Sequence, residues 1–179
     1  CPQSFLGLYL SRWDTGAMFY QTTMIYLMCP GAVGRRPRCS DYERPLSPTG
    51  RRAVLHQIQV FRDRPAVRPD CLIVSTARRS RQTAYLLSQL FVGTPVFFRE
   101  TLYLAPSFRI LEVLHHTDEI FRRVMIIAHR PGLEQLLMFL TPSGQSHTLH
   151  PADCVALAVD KPWAALQAGD CPIYTRSFL

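Results

Sequence analysis

Short unbroken apolar runs alternate along the chain with longer segments whose apolar residues recur at helical spacing. The run at 24–28, Met-Ile-Tyr-Leu-Met, is too short for a helix and lacks polar alternation. It predicts a strand buried on both faces, as in a parallel sheet. Ser47-Pro48 then supplies an N-cap with proline at the first helical position. Val54, Leu55, Ile58 and Phe61 mark the inward stripe of a helix ending near Arg62. A second strand is predicted at 71–75, followed by a helix at 77–91 with Ala84, Leu87 and Leu90 inward. A third strand is predicted at 96–98, and 100–103 reads as an extended connector. Pro106 opens a helix of about fifteen residues carrying Ile110, Val113 and Leu114. A fourth strand at 124–128, a helix at 131–140, a polar loop at 141–152 and a fifth strand at 154–159 follow. Residues 163–178 read as a closing hairpin-like pair. This alternation predicts an α/β fold, a three-layer sandwich with a mostly parallel central sheet and right-handed crossovers. The pattern predicts one domain over residues 24–179, with 1–23 as an N-terminal extension to which no function is assigned.

Composition narrows the picture. At 179 residues and 47% apolar, the chain can bury a substantial core. A net charge of +7 favours anionic ligands. Its arginines gather near strand ends and helix starts rather than in a basic tail, and no ring-stacking motif is present, so nucleic acid is not the expected partner. The six cysteines include no C-x-x-C pair, which argues against zinc, and 179 residues is long for a disulfide framework. Cys71 and Cys154 read as small hydrophobes at strand starts, and a reducing cytoplasm is the expected location. No apolar run is long enough to span a membrane, and the first residues lack a signal peptide's order of basic then apolar.

Two strand-to-helix junctions carry the candidate chemistry. One is Ala128-His129-Arg130-Pro131-Gly132; the other is Ser75-Thr76-Ala77-Arg78-Arg79-Ser80-Arg81. The carboxyl ends of parallel strands are where open α/β sheets bind ligands, and helix N-termini favour anions. His129 as a turn residue, and Arg79 on a solvated helix face, are the plain alternatives. Glu100 reads as an exposed loop carboxylate or a proton donor. His115 and His116 are adjacent on a helix and do not share a face, so they predict no metal site.

The order of motifs resembles the histidine phosphatase superfamily, and within it the small SixA-type phosphohistidine phosphatases of phosphoglycerate-mutase-like fold. The resemblance rests on Ile25-Tyr26-Leu27-Met28, Glu43-Arg44-Pro45-Leu46-Ser47-Pro48-Thr49-Gly50-Arg51-Arg52, Ser75 to Ala84, Leu102-Tyr103-Leu104-Ala105, and Ala128 to Glu134, with Ala156 to Val159 and Trp163 at the end. It implies phosphoryl transfer through a histidine, with no metal or other cofactor. It implies the roles of second arginine for Arg79 and second histidine for His129. The implied partner is phosphate or a phosphohistidine-bearing signalling protein. Fixed cations suit this chemistry because they stabilise charge on the equatorial oxygens while an imidazole attacks phosphorus.

The departure lies after the first strand. The family places Arg-His-Gly there; this chain has Cys29-Pro30-Gly31, and proline has no nucleophilic side chain. No other histidine is close in sequence to that strand end. The expectation is a phosphate-binding protein with impaired or no turnover, using Arg79, His129, Arg78 and Arg35, with Arg36 and Arg38 nearby. The rival is an active phosphatase. It would act through Cys29, since Cys29 and Arg35 make a Cys-x5-Arg pattern like the phosphate loop of cysteine-dependent phosphatases, or through an Arg-His pair hidden by a local sequence error over 29–39.

Overall fold

A computed structural model describes residues 23–35, 39–64 and 68–175. Residues 1–22 of the expected 1–23 extension, the loop arginines Arg36 and Arg38, and the end of the expected closing hairpin, 176–178, lie outside the described residues, while Thr23 belongs to the first strand.

The elements in chain order are β1 (Thr23–Met28), α1 (Pro48–Arg62), β2 (Cys71–Ser75), α2 (Arg78–Ser88), β3 (Val96–Arg99), α3 (Ser107–His115), β4 (Arg123–Ile127), α4 (Gly132–Leu140), β5 (Cys154–Val159) and β6 (Ile173–Thr175). The strands form one sheet in the order β3-β2-β4-β1-β5-β6. β1 to β4 run parallel, as helical crossovers require. β5 is antiparallel to β1, and β6 to β5. The reason lies in the 141–153 loop. It returns to the carboxyl end of β1, where Asp153 O accepts from Cys29 N and Ala152 N donates to Pro30 O. The chain therefore enters β5 from that end.

Alternation along each strand makes the three layers. Ile25, Leu27, Ile73, Val124, Ile126 and Leu157 pack beneath α3 and α4 with Ile110, Leu114, Leu133 and Leu137. Met24, Tyr26, Met28, Leu72, Val74 and Met125 face α1 and α2 with Val54, Ile58, Phe61, Ala84 and Leu87. The Asp70 carboxylate ties the start of β2 to β4, accepting from the Arg122 and Arg123 backbone and from the Arg123 guanidinium at 2.7 Å.

Several predicted boundaries shift. α3 has nine residues rather than about fifteen. Thr117 N donates to Leu114 O, and the Val113 carbonyl instead accepts from Thr117 Oγ1 at 2.8 Å, a side-chain bond that competes with helix continuation. α2 stops at Ser88, and Glu100–Leu102 is a 3-10 turn rather than an extended connector. The closing segment holds a 3-10 turn, Trp163–Ala165, and one strand. Trp163 is fully buried, and its indole N–H donates to Phe121 O at 2.8 Å, so this stretch packs on the core instead of forming the first arm of a hairpin.

Candidate functional site

The carboxyl ends of β1, β2 and β4 meet at one end of the sheet. The loop after β1 is fixed first. Gly31 N donates to Thr83 Oγ1 at 3.2 Å, Ser47 N donates to Ala32 O, and Leu46 N donates to Gln82 Oε1 at 2.7 Å. Gly50, in the first turn of α1, lies so near that a Cβ would stand 2.1 Å from Ala32 O. Only glycine allows that approach.

Arg79, in the first turn of α2, and His129, just past β4, are both buried and touch. Arg79 Nη2 lies 3.2 Å from His129 Nδ1, and His129 Nε2 lies 2.7 Å from Ser75 Oγ. A guanidinium only donates, so Nδ1 accepts and Nε2 carries the hydrogen, which it gives to Ser75. His129 is therefore not a base for the Ser75 hydroxyl, although the two make a close serine–histidine pair. Burial, then the charge of Arg79, lowers the His129 imidazole to about 4, with Asp41 opposing. His129 is neutral at pH 7.

The other side of Arg79 is held by Asp41. Arg79 Nη1 donates to Asp41 O at 2.7 Å and Nη2 to Asp41 Oδ2 at 2.9 Å. Tyr103 hydroxyl donates to the same Oδ2 at 3.1 Å, and Arg44 pairs with Oδ1 at 2.9 Å. Burial acts to raise the Asp41 carboxyl, but Arg79, Tyr103 and Arg44 together hold it below the usual carboxylate range. Burial and Asp41 raise the Tyr103 hydroxyl, which stays protonated and able to donate. The Tyr103 ring meets the His129 ring edge-on at 5.5 Å and Tyr42 at 5.0 Å. Thr76 Oγ1 and Ser80 Oγ, either side of Arg79 in sequence, are buried and have no hydrogen-bond partner among the described residues.

Cys29 and Pro30 sit at the end of β1 and are buried. Burial pushes the Cys29 thiol up to about 12, against the charge of Arg130 and with help from Asp153 and Glu134. A thiol so held is not a nucleophile at neutral pH. Arg78 and Arg35 are exposed, and Glu100 is exposed as well. Among the described residues no three His, Cys, Asp or Glu side chains are grouped to hold a metal. Asp41, Arg44, Tyr103 and Ser75 were not singled out as site residues from sequence. The signals present were an acid three residues before an arginine in a turn, and a polar residue closing the apolar run of β2.

No protein-family profile and no curated protein matched the sequence. Solved structures did. SixA of Nakamurella multipartitia superposes with a TM-score of 0.74 at 23% identity, covering 86% of this chain and 94% of that one. SixA of Agrobacterium tumefaciens gives 0.70 at 24%, covering 76% and 92%. The protein histidine phosphatase SixA in complex with tungstate gives 0.73 at 17%, covering 85% and 94%. The chain has the SixA-type histidine phosphatase fold. In this SixA-type fold, Cys29 and Pro30 follow the first strand, Arg79 opens the helix after β2 and His129 follows β4.

Proposed function

We propose that this protein is a SixA-type phosphohistidine phosphatase relative that binds phosphate, or a phosphorylated protein, with impaired or no turnover. The observation that carries the reading is Pro30, buried at the end of β1 where the resemblance calls for a nucleophilic histidine. Among the described residues, neither of two neighbouring groups replaces it. The Cys29 thiol keeps its proton, and Ser75 faces the hydrogen-bearing nitrogen of His129. A lost nucleophile costs several orders of magnitude in rate.

Arg79 supports retained binding. Its guanidinium is buried at the carboxyl end of the sheet beside the neutral imidazole of His129. Tungstate, carried by one of the similar SixA structures, is a tetrahedral oxyanion like phosphate. The partner in this reading is a phosphohistidine-bearing signalling protein, with no nucleic acid and no membrane involved. Arg78 and Arg35, both exposed, would meet the partner's surface rather than the phosphoryl group.

The binding half is tested by titrating a stable phosphohistidine-analogue peptide into the unmodified chain and into Arg79→Ala. Binding to the first, weakened at least tenfold in the second, is expected. Equal binding by both removes Arg79 from the site, and no binding by the folded unmodified chain overturns the reading.

A further inference from the structure

Resting on that phosphate-binding reading, we propose that Asp41 is a specificity-determining residue: its carboxylate occupies Arg79 as an internal anion, and a phosphoryl ligand binds only by displacing it. Arg79 spends three of a guanidinium's five N–H groups within the protein, two on Asp41 and one on His129. The Asp41 side-chain bond is charge-assisted, the strong kind that a ligand must match. Asp41 Oδ2 takes a second donor from Tyr103, so the carboxylate is itself coordinated much as a bound anion would be.

Charge leads to the same conclusion. His129 is neutral at pH 7, and Asp41 offsets Arg79, so this trio carries no net charge. Among the described residues, Arg44 is a further cation bonded to Asp41. A phosphoryl dianion approaching Arg79 meets a carboxylate already there and is repelled by it.

The arrangement is also displaceable. The Asp41 side chain is 38% exposed, whereas that of Arg79 is 11% exposed. Asp41 lies in a turn outside the sheet, and its other oxygen is held independently by Arg44. Oδ2 can leave Arg79 and Tyr103 for solvent while Oδ1 keeps its partner. The consequence is selection. A free anion that gains only Arg79 exchanges one carboxylate contact for one of its own. A phosphoryl group on a protein gains the partner surface as well, and so competes better.

The test uses the full chain, inorganic phosphate and isothermal titration calorimetry at pH 7.5, with circular dichroism to check folding. Asp41→Asn keeps the shape and an oxygen acceptor but removes the charge. It is expected to bind phosphate at least tenfold more tightly than the unmodified chain. Asp41→Glu, which keeps the charge, is expected to show no such gain. Adding Arg79→Ala to Asp41→Asn is expected to abolish it. If the unmodified chain binds phosphate and Asp41→Asn binds equally or more weakly, Asp41 merely positions Arg79, and the proposal is overturned while the phosphate-binding reading stands. A gain in Asp41→Glu equal to that in Asp41→Asn also overturns it. If neither folded protein binds phosphate, the phosphate-binding reading falls and the proposal with it. Should Asp41→Asn not fold, Tyr103→Phe removes one donor from Asp41 Oδ2 and decides the matter: tighter phosphate binding supports displacement, and unchanged or weaker binding overturns it.

Discussion

At the scale of single residues, two protonation states define the site. Burial holds the Cys29 thiol at about 12. Only on the order of one molecule in ten thousand carries the thiolate at pH 8. Iodoacetamide at pH 8, followed by mass spectrometry, should therefore label half-buried Cys39 well before Cys29 in the native protein. Labelling of Cys29 first would revive the cysteine-dependent rival. His129 makes a stability prediction with a definite sign. Its imidazole is lowered from the usual 6.5 to about 4, so the unfolded chain binds the proton more readily between those values. Its stabilisation is full above about pH 6.5 and is lost as pH falls towards 4, by roughly 3 kcal/mol. The depressed Asp41 carboxyl acts in the same direction at still lower pH. Urea unfolding at pH 7.5 and 4.5 should show a larger loss for the unmodified chain than for His129→Gln, whose amide can accept from Arg79 and donate to Ser75. Equal losses would remove His129 as the source. Sequence marked His129 and Arg79 as candidates through their strand-to-helix junctions and the family register, and the structure brings the two into contact. Sequence did not reveal Asp41, because the Asp41–Arg79 contact spans 38 positions and no local pattern encodes it.

At the scale of elements, close backbone approaches set the geometry. Gly132 opens α4, and a Cβ there would stand 1.9 Å from Ala105 O. That contact holds the 103–105 turn, and with it Tyr103, against His129. Gly132→Ala should push the turn outward, cost about 1–3 kcal/mol and weaken phosphate binding. A variant with unchanged stability in urea would show that the turn yields freely. Strands were the most legible elements, since β2 and β5 are unbroken apolar runs whose observed ends match expectation. Helix ends were less so. The apolar periodicity of α3 continues past His115, but Thr117 N turns to Leu114 O while Thr117 Oγ1 takes the Val113 carbonyl, and the helical ladder stops there.

At the scale of the whole molecule, the sheet separates support from site. Trp163 packs near Phe121 and Glu119, which precede β4, whereas Arg79 and His129 lie past the opposite ends of the strands. Trp163→Phe loses the indole N–H bond, so it should lower the melting temperature while changing phosphate affinity less than twofold. Affinity falling in step with stability would mean that the two ends are coupled. The layered architecture was legible because strand and helix patterns alternate regularly. The antiparallel β5 was not, because its direction depends on where the 141–153 loop returns. We propose that a phosphate pocket persists in this fold without its nucleophile. The most direct test is phosphate release from a phosphohistidine peptide by the unmodified chain and by a Cys29→Arg, Pro30→His double variant in parallel. Release by the double variant alone is the predicted result. Comparable release by the unmodified chain would contradict the account.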